Sequence, residues 1–252
     1  MQRIDIVGGV FRDILFYGDV HANEVIEMPG GTGYNVFAGL RALGIDAVFH
    51  GAAGNDSPIE EAIKIEGERT GMFVCRNEKE VLAVYRGANL HLWPKRLESK
   101  LLFATLECGG DYFLQYARKM KQAGGIVIVD PSPSFEWKPA YIDFCDVILP
   151  NETEFHLMFD KIPDNKLIFL KRGVNGGSYM YHCREINQTV AEEGAYPLGC
   201  GDAFDVAVLY GLINHFAKED ILSQAVRVGE KASFVRGSSA AVIHAVGDLL
   251  QA

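Results

Sequence analysis

Six short apolar runs punctuate the chain: IDIVGG (4–9), DAVFHG (46–51), LLFATL (101–106), GIVIVD (125–130), DVILP (146–150) and KLIFLK (166–171). Runs of this length without polar alternation are expected of strands buried on both faces. Among them lie stretches with helical spacing: YNVFAGLRALG (34–44), SPIEEAIKIEGERTG (57–71), DYFLQYARKMKQAGG (111–125), ETEFHLMF (152–159) and the apolar AFDVAVLYGLINHF (203–216). Strand–helix alternation predicts an α/β fold: three layers, α/β/α, around a mostly parallel central sheet, with ligands at the carboxyl ends of the strands. Two segments break the rhythm. DILFYGDVHANEVIEM (13–28) and MFVCRNEKEVLAVYRG (72–87) alternate and turn like hairpins. They are expected to form a small β lid over the cleft, or else edge strands of the main sheet. No internal repeat or long linker appears, so residues 1–252 read as a single domain.

Composition narrows the class. At 252 residues and 48% hydrophobic, the chain can bury one large core. A net charge of −9 argues against a nucleic-acid partner. No run approaches the roughly 18 apolar residues of a membrane span, so no membrane partner is expected. MQRIDIVGGV begins a strand rather than a leader, and a cytoplasmic location is expected. Five cysteines (Cys75, Cys108, Cys145, Cys183, Cys200) lack C-x-x-C spacing and read as reduced thiols. The seven histidines show no metal-ligand spacing either.

The sharpest chemical signal is Gly199-Cys200-Gly201-Asp202, directly before the apolar helix. Glycines at a helix N-terminus bring backbone N–H groups close to an anion. A carboxylate there can take a proton from a hydroxyl that attacks a phosphate. Three further constellations each admit a plain structural reading. Gly30-Gly31-Thr32-Gly33-Tyr34-Asn35 can hold a polyol against backbone and the Asn35 amide, or be a glycine turn with an Asn cap. Pro150-Asn151-Glu152-Thr153-Glu154 can organise magnesium, or be a capping box, which is the stronger reading when it is taken alone. Lys171-Arg172-Gly173-Val174-Asn175-Gly176-Gly177 can cradle a nucleotide, or be a tight connection to SYMYH. No G-x-x-x-x-G-K-[ST] segment occurs, which excludes a P-loop kinase.

In order, these pieces resemble the ribokinase-like (PfkB) carbohydrate and nucleoside kinases, over most of the chain. GGTGYNVFAGLRALG is similar to that family's N-terminal signature, GAAGND (51–56) to the segment after it, and DPSPSFEW (130–137) to a cleft-lining segment. PNETEF (150–155) resembles the N-x-x-E motif, KRGVNGG the nucleotide-side turn, and GCGDAF (199–204) the G-A-G-D signature with Cys for Ala. The resemblance implies an ATP-dependent, magnesium-requiring kinase of a sugar or sugar derivative. It implies Asp202 as general base and backbone N–H groups of Gly199, Cys200 and Gly201 as anion hole. Asn151 and Glu154 would position magnesium through water and the phosphates. Lys171, Gly173 and Gly176 would lie beside ATP, and Asp13, Gly30, Gly31 and Asn35 would hold sugar hydroxyls.

The chain departs from the family at Tyr196-Pro197, where Asp-Thr is usual. That aspartate is linked in the family to a monovalent-cation site, to which the resemblance does not extend. Glu230, in QAVRVGEKASFVRG (224–237), stands where an adenine-side asparagine is common. The chain is shorter than is typical, which fits a trimmed lid. Arg86, in a Tyr-Arg-Gly-Ala-Asn stretch loosely like a cluster in sugar-acid kinases, can pair with an anionic substrate or be a solvated arginine at a hairpin end. Phe11, Arg12 and Tyr34 are candidates for the substrate wall. Two other readings stand beside the sugar kinase: a nucleoside kinase, and a sugar- or nucleotide-binding protein without catalysis. A homodimer through the lid is an expectation of the same resemblance.

Overall fold

A computed structural model describes residues 3–91, 95–158, 165–182 and 184–250. Cys183 and the last residue of the 152–159 helical stretch, Phe159, lie outside them. The chain opens with β1 (Ile4–Val7) and an antiparallel pair, β2 (Phe11–Gly18) and β3 (Ala22–Gly30), then α1 (Thr32–Ala42) and β4 (Ala47–His50). Two-residue strands β5 (Ala52–Ala53) and β6 (Ile63–Lys64) precede a second antiparallel pair, β7 (Gly71–Arg76) and β8 (Glu80–Tyr85). Alternation resumes with β9 (Leu101–Ala104), α2 (Gly110–Gln122), β10 (Ile126–Val129), β11 (Val147–Ile148) and α3 (Glu152–Met158). The chain ends with β12 (Leu167–Lys171), β13 (Gly177–Tyr181), β14 (Arg184–Gln188), α4 (Cys200–Ile213), α5 (Lys218–Ala232) and α6 (Ser238–Val246).

All six apolar runs enter one eight-stranded sheet, in the order β14-β13-β12-β11-β10-β9-β1-β4. From β12 to β4 the strands are parallel, and the β13–β14 hairpin adds an antiparallel edge. Strand alternation divides the core in two. Leu101, Phe103 and Ile128 join the cluster beneath α1, α4, α5 and α6, whereas Leu102, Ala104, Val127 and Val129 join the one beneath α2. Helices thus cover both faces, giving the three layers. Helix α4 is apolar nearly all round because it lies between α1, α5 and α6.

The two hairpins form a separate four-stranded sheet, β3-β2-β7-β8, in which β2 and β7 run parallel. They are not edge strands of the main sheet. One expectation fails: residues 57–71 are not a helix. Their apolar residues do repeat at helical spacing, but Ile59 and Ala62 are buried from an irregular loop. Ile63–Lys64 pairs instead with Ala52–Ala53. The Lys64 ammonium donates to the carbonyls of Ser57 and Ile59 at 2.7 Å each, which stabilises the loop path over a helix.

Candidate active site

Two cavities of about 440 and 410 Å3 meet at the N-terminus of α4. Thr32, Ser132, Pro197 and Asp202 line both. Gly199 starts the helix in the left-handed region, φ +81°. A Cβ there would fall 2.5 Å from the Ser238 carbonyl oxygen, so only glycine allows α4 and α6 to approach this closely. The first-turn N–H groups of a helix have no intrahelical acceptor. That of Cys200 reaches only the Pro197 carbonyl, at 3.4 Å. Asp202 follows on the first turn, where the Asn35 amide donates to its Oδ2 at 2.6 Å. Burial raises the Asp202 pKa. The Asn35 bond opposes that rise, the charge of Asp130 adds to it, and Lys171 offsets part of it.

The first cavity runs beneath the lid. Asp13, on β2, is 3% exposed; the Ser238 hydroxyl donates to its Oδ2, and Oδ1 has no partner. Burial, reinforced by the charges of Asp202 and Glu107, pushes its pKa up to about 7, against the Ser238 bond. Asn35 is 2% exposed and its Oδ1 is likewise unpartnered. Two buried acceptor atoms on one cavity therefore lack a donor. Gly31 lines the same wall. Gly30 lines neither cavity: a Cβ on it would sit 2.0 Å from Asp13 Oδ2, so Gly30 makes room for that carboxylate rather than contacting a ligand.

Asn35 does not cap α1, whose N-cap is Gly31 without a side-chain bond. The cap comes from a distant residue absent from the sequence reading. Glu107 Oε1 accepts from Thr32 N at 2.9 Å, and Oε2 from Gly9 N at 2.8 Å and Gly33 N at 3.0 Å. An internal carboxylate thus fills the anion-attracting end of α1, while that of α4 faces the cavities.

Arg86 reaches the first cavity, yet it is neither solvated nor free. Its guanidinium donates to Glu136 at 2.5 Å and to the carbonyls of Glu107 and Leu106 at 2.9 and 3.3 Å. It also lies 5.8 Å from the Phe135 ring centre. Burial opposes ionisation of Glu136, but bonds from Gly110 N and Arg86 outweigh it and hold the carboxyl below its ordinary pKa. Arg86 is therefore a strut between lid and sheet.

The second cavity is lined by Asn151, Glu154, Lys171, Gly173, Gly176, Cys200 and Gly201. The capping box exists: Asn151 N donates to Glu154 Oε2 at 2.8 Å, and Glu154 N to Asn151 Oδ1 at 2.9 Å. The box does not exclude a ligand role, since both residues also face the cavity. Burial and the neighbouring charge of Asp130 push the Glu154 pKa up to about 7, against Lys171. Lys171 itself carries a buried ion cluster, 2.8 Å from Asp130 and 3.1 Å from Asp205. Burial disfavours its charge, yet the two carboxylates outweigh that and hold its pKa above the ordinary value. Neither Asp130, which opens DPSPSFEW, nor Asp205, within the apolar α4, has a local sequence pattern that marks this pairing.

The departures noted in the sequence have structural counterparts. Glu230 accepts from Ala191 N and Glu192 N, both at 2.9 Å, and fastens the loop over the second cavity. The Arg236 guanidinium sits 5.4 Å from the Tyr196 ring centre and 4.5 Å from that of Tyr17. In the turn between β7 and β8, Glu78 is 2% exposed; it accepts from Gly237 N at 3.0 Å and from the Tyr17 hydroxyl. Lys79, beside it, reaches the wall of the second cavity. A polar turn, NEKE, gave no local sign of either contact.

No family model matches the chain. In sequence it is 23% identical to a ribokinase from Lactococcus lactis, over 90% of this chain and 89% of that one. In structure it superposes on a ribokinase from Thermotoga maritima with a TM-score of 0.83 at 20% identity, over 100% of both chains. The fold is ribokinase-like. The same ribokinase-like fold aligns with a Cryptococcus neoformans ribokinase solved with ADP (TM-score 0.84, 18% identity, 99% and 100% covered). It also aligns with a Burkholderia thailandensis nucleoside kinase solved with inosine (TM-score 0.80, 19% identity, 100% and 99% covered). Among the described residues, no helix is long and apolar enough to cross a membrane. Nor do three or more His, Cys, Asp or Glu side chains form a metal-holding group among them.

Proposed function

We propose that this ribokinase-like chain transfers the terminal phosphoryl group of ATP to a hydroxyl of a sugar or sugar derivative. The observation that carries the reading is the position of Asp202, one carboxylate on the first turn of α4 shared by two cavities. The second cavity takes the nucleotide and the first the acceptor. Asp13 Oδ1 and Asn35 Oδ1, buried without donors, accept from acceptor hydroxyls and orient them. Asn35 holds Asp202 by its Oδ2 and so positions the carboxylate to take the proton of the attacking hydroxyl. Charge on the transferred group is stabilised by the α4 N-terminus at Gly199, Cys200 and Gly201, where partial positive charge and orphan N–H groups coincide. Gly173, Gly176 and Lys171 flank the nucleotide.

The donor-side residues fit magnesium. The carbonyl and carboxylate oxygens of Asn151 and Glu154 are hard ligands, and magnesium is usually held by one or two such groups, waters and substrate phosphates rather than by an all-protein cage. Asn151 and Glu154 would hold it through water, and when bound it would neutralise charge on the phosphates.

The test is ADP release and product mass with ribose, fructose, sugar acids, inositols and nucleosides. Asp202→Asn is expected to lower turnover by roughly 10²–10⁴-fold while nucleotide binding persists. Near-wild-type turnover in that variant would remove Asp202 from its role. Sugar binding without turnover of any acceptor would favour a binding protein. Val25, Leu82 and Tyr85 stand exposed on the lid strands and favour a homodimer through that sheet. Light scattering should give twice the 27.8 kDa chain mass, and a monomeric mass would reject the dimer.

A further inference from the structure

With the second cavity taken as the nucleotide site proposed above, its outer wall is the loop from β14 to α4. Val190, Glu192, Glu193, Gly194 and Ala195 line the cavity from that loop. The segment has no regular structure, and Ala191, Glu192, Glu193 and Ala195 are exposed. Its path is fixed by the end of α5. Glu230 accepts from Ala191 N through one carboxylate oxygen and from Glu192 N through the other, both at 2.9 Å. Ser233 accepts from Gly194 N through its hydroxyl at 3.0 Å and from Tyr196 N through its carbonyl at 2.9 Å. The two anchors are tied to each other, since the Ser233 hydroxyl donates to the Glu230 carbonyl at 2.6 Å. A Cβ on Gly194 would fall 2.2 Å from Ser233 Oγ, so loop and helix end are in direct contact.

Glu230 stands in the last turn of α5, where unpaired carbonyls disfavour a carboxylate. Its two N–H donors offset that cost. They also engage both of its oxygens, and the Ser233 hydroxyl already serves as donor and acceptor. The hydrogen-bonding side chains that α5 turns toward this wall are thus occupied by the loop. What the wall has left for a base is packing against Val174, Val190 and Val226, and the exposed carboxylates of Glu192 and Glu193. Those acids repel a triphosphate, which favours its charge toward Lys171 and the α4 N-terminus and its base against the loop. A carboxylate can accept from the exocyclic amino group that adenine, guanine and cytosine all carry, so it does not separate them. A pocket that packs a ligand without reading its hydrogen bonds discriminates weakly.

We infer that Glu230 is a positioning residue that fastens the 191–195 loop as the outer wall of the nucleotide cavity, and that this wall accepts the base by packing, so that ATP, GTP and CTP bind as near equals. The test titrates non-hydrolysable analogues of the three triphosphates into the parent, Glu230→Ala, Glu230→Gln and Ser233→Ala by calorimetry. Turnover is measured with each triphosphate and the best acceptor of the panel above. The analogues should bind the parent within tenfold of one another. Glu230→Ala should weaken all three at least tenfold, by factors equal within threefold. The KM for triphosphate should rise more than kcat falls, with the acceptor KM unmoved. Glu230→Gln keeps one acceptor oxygen for two N–H groups and should lie between. Ser233→Ala should act in the same direction through Gly194, and these two variants carry the test if Glu230→Ala does not fold. Amide exchange at Ala191 and Glu192 should quicken in Glu230→Ala at unchanged global stability. A parent that prefers one base by more than tenfold overturns the inference, as does a loss confined to one base or unchanged affinity in the variants. If the analogues bind as expected but no acceptor is phosphorylated, the phosphoryl-transfer reading falls and the role of Glu230 stands. If ATP is turned over and the variants bind like the parent, the reverse holds. Failure of every analogue to bind overturns both.

Discussion

The two cavities that share Asp202 satisfy their polar groups in opposite ways. On the proposed donor side, polar groups answer one another inside the protein: the Lys171 ammonium with Asp130 and Asp205, and the backbone N–H groups of Asn151 and Glu154 with each other's side chains. On the acceptor side, Asp13 and Asn35 each hold a buried oxygen open, beside apolar walls. A self-satisfied site adds to the stability of the fold, whereas an open one detracts from it until a ligand arrives. The same α4 N-terminus therefore joins a region optimised for folding to one kept for binding.

The largest way to break this contrast is to empty the donor cluster. Lys171→Met leaves Asp130 and Asp205 buried without their cation. Chemical denaturation should show a loss of about 3–5 kcal/mol, because buried charge is left uncompensated. A variant as stable as the parent would mean that the cluster contributes nothing to the fold.

The acceptor side should respond with the opposite sign. The folded-state pKa of Asp13, about 7, lies above its ordinary 3.8, so the folded protein binds the extra proton. Stability then falls as pH rises through that window, and the whole penalty is present above it. Asp13→Asn removes the penalty. Its melting temperature should match the parent near pH 4 and exceed it increasingly up to about pH 7–8, by roughly 2–4 °C for each kcal/mol relieved. Acceptor affinity should drop about tenfold or more over the same range, because a carboxylate–hydroxyl bond is lost. Equal melting temperatures at pH 8 would show that the open carboxylate carries no penalty.

The donor side was also the more legible from sequence. Its parts lie in compact segments, PNETEF, KRGVNGG and GCGDAF, each next to a strand end or helix start that apolar spacing reveals. The acceptor side is assembled across long separations. Glu107 binds Gly9, and Ser238 binds Asp13, at 98 and 225 residues' distance. Neither contact leaves a local pattern. Arg86 illustrates the same limit: its sequence neighbours suggest an anion site, but Glu136, 50 residues away, engages the charge. The failed helix at 57–71 shows the converse, a local period overruled by pairing with β5. Helix α6 and the β13–β14 hairpin were not foreseen, since small residues and an exposed edge weaken both periods.

The stretch Gly237–Ser238, at the head of α6, has a mechanical consequence. It donates to Glu78 from one lid hairpin and to Asp13 from the other, and its backbone is the surface against which Gly199 packs. Raising the lid must release both carboxylates from the residues that back the α4 N-terminus. The two lid hairpins and the glycine turn that opens α4 thus share one anchor, like a door whose bolt also carries the frame.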